Sequence, residues 1–156
     1  MDDKIIVLRG AIRSDLDTIE RIYKELERHP ISSESSDDEL IVVAYHLHNL
    51  YNAFENIFVN IASTFENSID PLDRWHAQLL ERMRLDVSPL RPAVIDEDAY
   101  DLLDELRRFR HVFRHAYSIR LDADRLQLVL RKAMKLRALH RPQFQRFDRY
   151  LQEISE

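Results

Sequence analysis

The sequence predicts an all-α fold, an antiparallel bundle of about five helices. The 156-residue chain contains a single glycine, Gly10, although tight β-turns usually depend on that residue. Apolar residues recur every three or four positions along most of the chain, which is the period of an amphipathic helix. They make up 45% of the composition, enough for one core. We therefore expect residues 1–156 to form one helical domain.

The first two helices are predicted over residues 4–28 and 37–67, separated by a polar break at 29–36. Ser36 and Glu39 form a capping-box pattern at the start of the second helix. That helix has two adjacent apolar stripes, so we expect it to be the spine of the bundle and to face a second protomer in part. The stripes consist of Val43, Leu47, Leu50, Phe54, Ile57 and Ile61, and of Ala44, Tyr51, Phe58 and Phe65.

The third helix is predicted over residues 71–85. Asp70 followed by Pro71 is typical of a helix start, because an N-cap side chain and a proline in the first turn both suit that position. The segment 86–95 contains two further prolines and no sustained helical spacing. We expect this segment to be a loop.

Two long helices are predicted in the remainder of the chain. Asp96 is expected to cap a helix over 97–117, and Asp122 a helix over 123–153. Pro142 falls inside the second of these helices, where it lacks an N–H group and crowds the preceding turn. We expect it to kink or split that helix.

The composition excludes several classes of protein. With no cysteine, the chain has no disulfide, no thiolate zinc site and no cysteine nucleophile. One glycine is too few for a phosphate-binding loop or a dinucleotide fingerprint. The sequence shows no secretory signal core and no apolar run approaching the roughly 20 residues that span a bilayer. We therefore expect a cytoplasmic protein with no membrane partner and no cofactor.

The charges are distributed unevenly along the chain. Residues 1–106 contain 10 basic and 23 acidic side chains, whereas residues 107–146 contain 12 basic and 2 acidic ones. A basic block inside an acidic protein indicates one face for an anion and another for a different partner.

The basic block begins with a dense cluster between Arg107 and Tyr117. Arg108 has Asp104 four residues before it, but Arg110 and Arg114 have no acidic residue within one helical turn. Their planar guanidinium groups suit a phosphate. Arg110 and His115 lie about 140° apart around a straight helix, so a second helix or a second chain must complete a shared site.

These residue types suit RNA cleavage without a metal. Histidine serves as acid or base near neutral pH, and arginine stabilises charge that develops on the phosphoryl oxygens. We predict Arg110 and His115 as catalytic residues, with RNA contacts from Arg107, His111 and Arg114. His111 and His115 also have the spacing of a metal-binding pair, but the neighbouring arginines disfavour a cation.

The pattern Arg110-x4-His115-x-Tyr117 resembles the Arg-x4–6-His signature of HEPN ribonucleases, and the added tyrosine resembles the HepT-like branch, the toxin half of a toxin–antitoxin pair. The stretches 51–58, 73–76 and 106–111 are similar to the same branch. The position after the motif arginine, often a small polar residue in that branch, is occupied here by His111.

The resemblance implies a HEPN-like homodimer with its catalytic cleft at the interface and with Arg110 and His115 contributed by each protomer. It also implies a minimal nucleotidyltransferase antitoxin as partner. In this branch the antitoxin can transfer AMP to the motif tyrosine, which is Tyr117 in this chain.

Other interpretations stay open at this point. The chain is alternatively a non-catalytic HEPN adaptor that binds a nucleotidyltransferase, or a helical interaction module that uses its acidic face. Trp75 and His76 are interpreted as structural rather than functional. Tyr117 is equally consistent with a structural role in closing the core. The arginines from Arg120 to Arg146 are consistent either with a solvated face or with a surface that binds the RNA backbone. The sequence identifies neither the RNA nor the position of cleavage.

Overall fold

The computed structural model describes residues 2–66, 75–115 and 120–156, and for His115 it describes the backbone alone. The described residues form five α-helices and no β-strand, which confirms the predicted all-α class. Only an isolated bridge pairs Val87 with Arg91. The helices are α1 (Asp3–Arg28), α2 (Asp37–Phe65), α3 (Trp75–Met83), α4 (Glu97–His115) and α5 (Ala123–Ser155).

Helix α2 is the centre of the bundle, as its two apolar stripes predict. It packs against each of the other four described helices. All six residues of its first stripe, and Ala44, Tyr51 and Phe58 of the second, are fully buried. Helix α1 is joined to α5 by a hydrogen bond from the Tyr23 hydroxyl to the carbonyl oxygen of Ala133, at 2.8 Å.

Capping side chains fix the predicted helix starts. Ser36 and Glu39 form the capping box of α2. The carboxylate of Asp96 accepts from the backbone N–H of Ala99 at 2.9 Å, and that of Asp122 accepts from Asp124 at 3.0 Å. The predicted cap at Asp70 and Pro71 lies outside the described residues, as does the first turn expected for α3.

Pro142 does not split α5, contrary to one of the two predicted outcomes. The helix continues as one element through this residue. Apolar side chains before and after the proline, including Leu136, Phe144 and Phe147, are buried in the same core. Because both halves bury their stripes together, packing offsets the roughly 3 kcal/mol cost of an internal proline.

None of the helices in the described part of the chain combines the length and the apolar character that a membrane span requires.

Candidate functional site

Helix α4 carries Arg110 into the junction between α2 and α3. Its side chain is buried, with a residue exposure of 6%. It faces Asn52 and Glu55 of α2, and His76 at the start of α3. We refer to these four residues as the Arg110 network. Burying a guanidinium group is costly unless charged and polar partners surround it, and here both kinds are present.

One end of the Arg110 guanidinium group anchors it. Nη1 donates to Asn52 Oδ1 at 2.7 Å and to Glu55 Oε1 at 3.0 Å. Because Nη1 has two N–H groups, these bonds use both. Among the described residues no oxygen accepts from Nε or Nη2. The guanidinium carbon lies 5.5 Å from the ring centre of Tyr51, close enough for a cation–π contact.

Glu55 also holds His76, through its second oxygen. His76 Nδ1 lies 2.8 Å from Glu55 Oε2, and Arg110 Nη2 lies 3.4 Å from the same nitrogen. The short contact to a carboxylate assigns the proton to Nδ1, so this nitrogen donates to Glu55 and cannot accept from Arg110. The lone pair of neutral His76 is then on Nε2.

The imidazole ring of His76 is further restrained by Trp75. The two ring centres lie 3.7 Å apart, at an angle of 32°. Trp75 packs partly buried against the core, in agreement with the structural interpretation of this pair. His76 has a contact that the sequence interpretation did not include, because its carboxylate partner is 21 residues earlier in the chain.

The structure corrects the expectation that Arg110 has no acidic partner. The helix carries no acidic residue near Arg110, but the folded chain brings Glu55 to it from α2 as an ion pair at 3.0 Å. A partner 55 positions away leaves no trace in local spacing. Glu55 was the feature of the sequence that could have indicated this contact. It is an acidic residue on a buried stripe of α2, and a charge in such a position requires a partner.

The remaining basic side chains of α4 differ in their surroundings. Arg107 and Arg108 both form ion pairs with Asp104, at 2.8 and 2.9 Å. The sequence analysis assigned this acid to Arg108 alone. His111 and Arg114 are exposed at the surface of α4.

Two side chains of α2 lie near Arg110, the half-buried His48 and the fully buried Tyr51. Burial, and then the positive charges of Arg110 and Arg114, lower the pKa of His48, whose ring lies 5.7 Å from that of Phe113. Burial raises the pKa of Tyr51, whose hydroxyl group has no hydrogen-bond partner among the described residues. Both side chains are therefore uncharged at neutral pH.

The other half of the predicted catalytic set lies outside the described side chains. Helix α4 reaches His115, but only its backbone is described, and Tyr117 falls in the segment 116–119 that the structure leaves out. The expectation that Arg110 and His115 converge across two protomers stays a prediction.

A cavity of about 270 Å³ lies between α4 and α5. Three arginines and two acidic residues contribute to its lining, so the basic groups are in excess: Arg108, Arg120, Arg125, Glu105 and Asp122. A larger cavity of about 680 Å³ lies between α1 and α5. Arg110 lines neither of them. We give more weight to the smaller cavity, because its arginines lie along the helix that carries the catalytic candidates.

A model of a family described as HepT-like protein matches residues 42–151. This range contains all four residues of the Arg110 network as well as His115 and Tyr117, and it begins after α1. No curated protein and no solved structure matches the chain significantly.

Proposed function

The chain belongs to the HepT-like protein family, and we propose that it is a metal-independent endoribonuclease, the toxin of a HEPN and minimal nucleotidyltransferase pair. Within this proposal residues 1–156 act as one domain that dimerises. The observation that carries it is the anchoring of Arg110. Nη1 is held by Asn52 and Glu55, while Nε and Nη2 meet no oxygen of the described residues. A phosphate oxygen fits that remaining edge of the guanidinium group.

The proposed reaction is an internal transfer at phosphorus. His115 of one protomer removes the proton of the ribose 2′-hydroxyl group, whose oxygen attacks the adjacent phosphorus. The bond from phosphorus to the 5′-oxygen breaks, and a second histidine protonates that oxygen. Arg110 stabilises the charge on the phosphoryl oxygens. The products are a 2′,3′-cyclic phosphate end and a 5′-hydroxyl end, so no metal or oxidant is needed.

Around this centre, we assign contacts with the RNA backbone to Arg107, His111 and Arg114. Arg120 and Arg125 extend the same positive surface along the cavity between α4 and α5. Contacts of this kind follow the phosphates and not the base sequence, so binding should weaken steeply as salt increases.

The proposed partner is a minimal nucleotidyltransferase antitoxin. It would use ATP to modify Tyr117: the phenolic oxygen attacks the α-phosphorus, pyrophosphate leaves, and the phenolic proton passes to solvent. The AMP group would place bulk and negative charge two residues from His115. Co-expression with the antitoxin should add the mass of AMP to the peptide containing Tyr117. An unmodified peptide from an inhibited toxin would instead indicate steric blocking.

The direct test is an RNA digest in excess EDTA with the wild type and His115→Ala. We expect the wild type to cleave tRNA or total RNA and to leave cyclic phosphate ends, and His115→Ala to be inactive while retaining its helical circular dichroism. Arg131→Ala, an exposed change on α5, is the control and should cleave normally. Loss of wild-type cleavage in EDTA would point to a metal nuclease instead.

A second function has its own supporting observation. Arg110 is buried and its charge is compensated by Glu55, which also suits a non-catalytic HEPN adaptor that binds a nucleotidyltransferase. An adaptor would cleave no RNA in any preparation and would bind its partner equally well after Arg110→Lys. A ribonuclease would lose cleavage in that variant.

A further inference from the structure

Three potential metal ligands meet where α1 ends beside α2. The ligand atoms of Glu25, His29 and His46 all lie within 4.8 Å of one another. His29 Nε2 lies 3.8 Å from Glu25 Oε2, and the imidazole rings of His29 and His46 are stacked with centres 5.8 Å apart. The sequence did not suggest this group, because His29 and His46 belong to different helices and are 17 positions apart.

We propose that Glu25, His29 and His46 form a zinc site that joins the end of α1 to α2. Two imidazole nitrogens and one carboxylate oxygen are a common ligand set for Zn²⁺, with water in the fourth position. In a tetrahedral site such atoms lie roughly 3.3 Å apart, given metal–ligand distances of about 2.0–2.1 Å. The ligand atoms must therefore approach one another from within 4.8 Å, and the side chains of His29 and Glu25 have room to rotate because they are 43% and 39% exposed.

The surroundings also favour a cation. His29 is the C-cap residue of α1, so a metal bound there lies at the negative end of the helix dipole. Glu25 and His29 are four residues apart on α1 and share one face. Arg28 contacts the other carboxylate oxygen, Glu25 Oε1, at 3.1 Å, and its side chain is 73% exposed. It therefore leaves Oε2 available and is free to move from the approaching cation.

This site differs in position and chemistry from the proposed ribonuclease centre. Glu25 lies in α1 and His29 is its C-cap residue, so both precede the residues 42–151 that match the family, whereas His46 lies within that range. None of the three ligands belongs to the Arg110 network. The site therefore combines two ligands from the end of the N-terminal helix with one from α2. Bound zinc would hold α1 against α2, and RNA cleavage in EDTA would not depend on it.

The test is calorimetric titration of ZnCl₂ into the full chain after treatment with a chelator, in a buffer that does not bind metals. We expect one zinc ion per chain and a rise in melting temperature of roughly 5–10 °C when free zinc is about 100 times the dissociation constant. His29→Ala and His46→Ala should each weaken binding at least about tenfold. His48→Ala and His115→Ala are controls with intact ligands and should bind as the wild type does.

Glu25→Gln keeps the shape of the side chain and should also weaken zinc binding. This variant tests the site even if a histidine variant unfolds. The proposal is overturned if the wild type binds no zinc, or if His46→Ala binds it as tightly as the wild type. Loss of binding in His115→Ala with retention in His46→Ala would place the metal on α4 instead. None of these results depends on whether the chain cleaves RNA.

Discussion

Arg91 and Arg110 are both buried arginines, but they differ in how many of their N–H groups the protein uses. Arg91 donates from Nε to Glu66 at 3.0 Å, from Nη1 to the carbonyl oxygens of Leu85 and Pro92, and from Nη2 to Glu66 and to the carbonyl oxygen of Arg82. All five of its N–H groups are thus used. Within the described part of the chain, Arg110 gives two N–H groups to oxygen acceptors, both from Nη1.

This difference separates a structural arginine from one that can bind a ligand. Arg91 joins the end of α2 to the loop 86–95 and has no donor left for another molecule. Arg110 is held through Nη1, while its Nε and Nη2 groups have no oxygen acceptor among the described residues. An anchored side chain loses little conformational entropy when a phosphate binds, which favours catalysis.

The largest effect is expected at Arg91. Arg91→Ala leaves Glu66 and three carbonyl oxygens without their donor, so unfolding should become easier by about 4 kcal/mol. Urea denaturation followed by circular dichroism measures this change. Arg108→Ala removes an arginine whose side chain is 65% exposed, and it should leave stability nearly unchanged. Similar losses in the two variants would contradict a structural role specific to Arg91.

His140 extends the comparison to a buried polar group with no hydrogen-bond partner among the described residues. It is 3% exposed, and neither ring nitrogen is bonded. It packs between the aromatic rings of Tyr23 and Phe54. Burial, followed by the positive charge of Arg141, lowers its pKa from 6.5 to about 4. Glu20 acts in the opposite direction, and Arg137 adds to the lowering.

The lowered pKa of His140 makes stability depend on pH. As pH falls, the unfolded chain binds this proton first, so the neutral histidine contributes stability above pH 6.5 that is lost down to about pH 4. The loss attributable to His140 is about 3 kcal/mol. Denaturation at pH 7 and pH 4.5 should show a smaller loss for His140→Phe than for the wild type. Equal losses would mean that His140 is protonated in the folded protein.

A smaller effect is expected from the coupling between Arg110 and Glu55. Arg110→Met removes the arginine that pairs with Glu55 and leaves His76 beside it, and Glu55→Leu removes the carboxylate that pairs with Arg110 and leaves Asn52, whereas the double variant leaves neither charge of the pair. The double variant should therefore cost about 2 kcal/mol less than the sum of the single variants. The matched cycle on the pair Lys132 and Glu105, whose side chains are 42% and 41% exposed, should give less than about 1 kcal/mol. Equal coupling energies would remove the distinction between the two pairs.

Local sequence patterns predicted most of the fold and only part of the site. Helix ends are determined by nearby residues, so the capping box at Ser36 and the cap at Asp96 were correctly predicted. The buried stripe of α2 was also predicted, because helical spacing reveals which face is apolar. Arg110 was selected for its residue type and its place in a motif.

Interactions between distant parts of the chain were not predicted. Arg110 finds Asn52 and Glu55 on α2, and Glu55 in turn contacts His76 of α3, so the network depends on how three helices pack. The loop 86–95 was expected as a loop, but the structural role of its arginine depends on Glu66, 25 positions earlier, and on three carbonyl oxygens that the fold brings around it. The continuity of α5 through Pro142 likewise depends on the common core and not on local propensity.

The most direct test of the central claim is Arg110→Lys, assayed by single-turnover RNA cleavage in EDTA. A lysine keeps the positive charge beside Glu55, but its single ammonium group cannot hold Asn52 and Glu55 and also present a planar edge to a phosphate. We predict a folded protein that melts within a few degrees of the wild type and cleaves at least about 100-fold more slowly. Arg108→Lys should cleave normally. Wild-type cleavage by Arg110→Lys would contradict the claim that the uncommitted edge of Arg110 acts on the scissile phosphate.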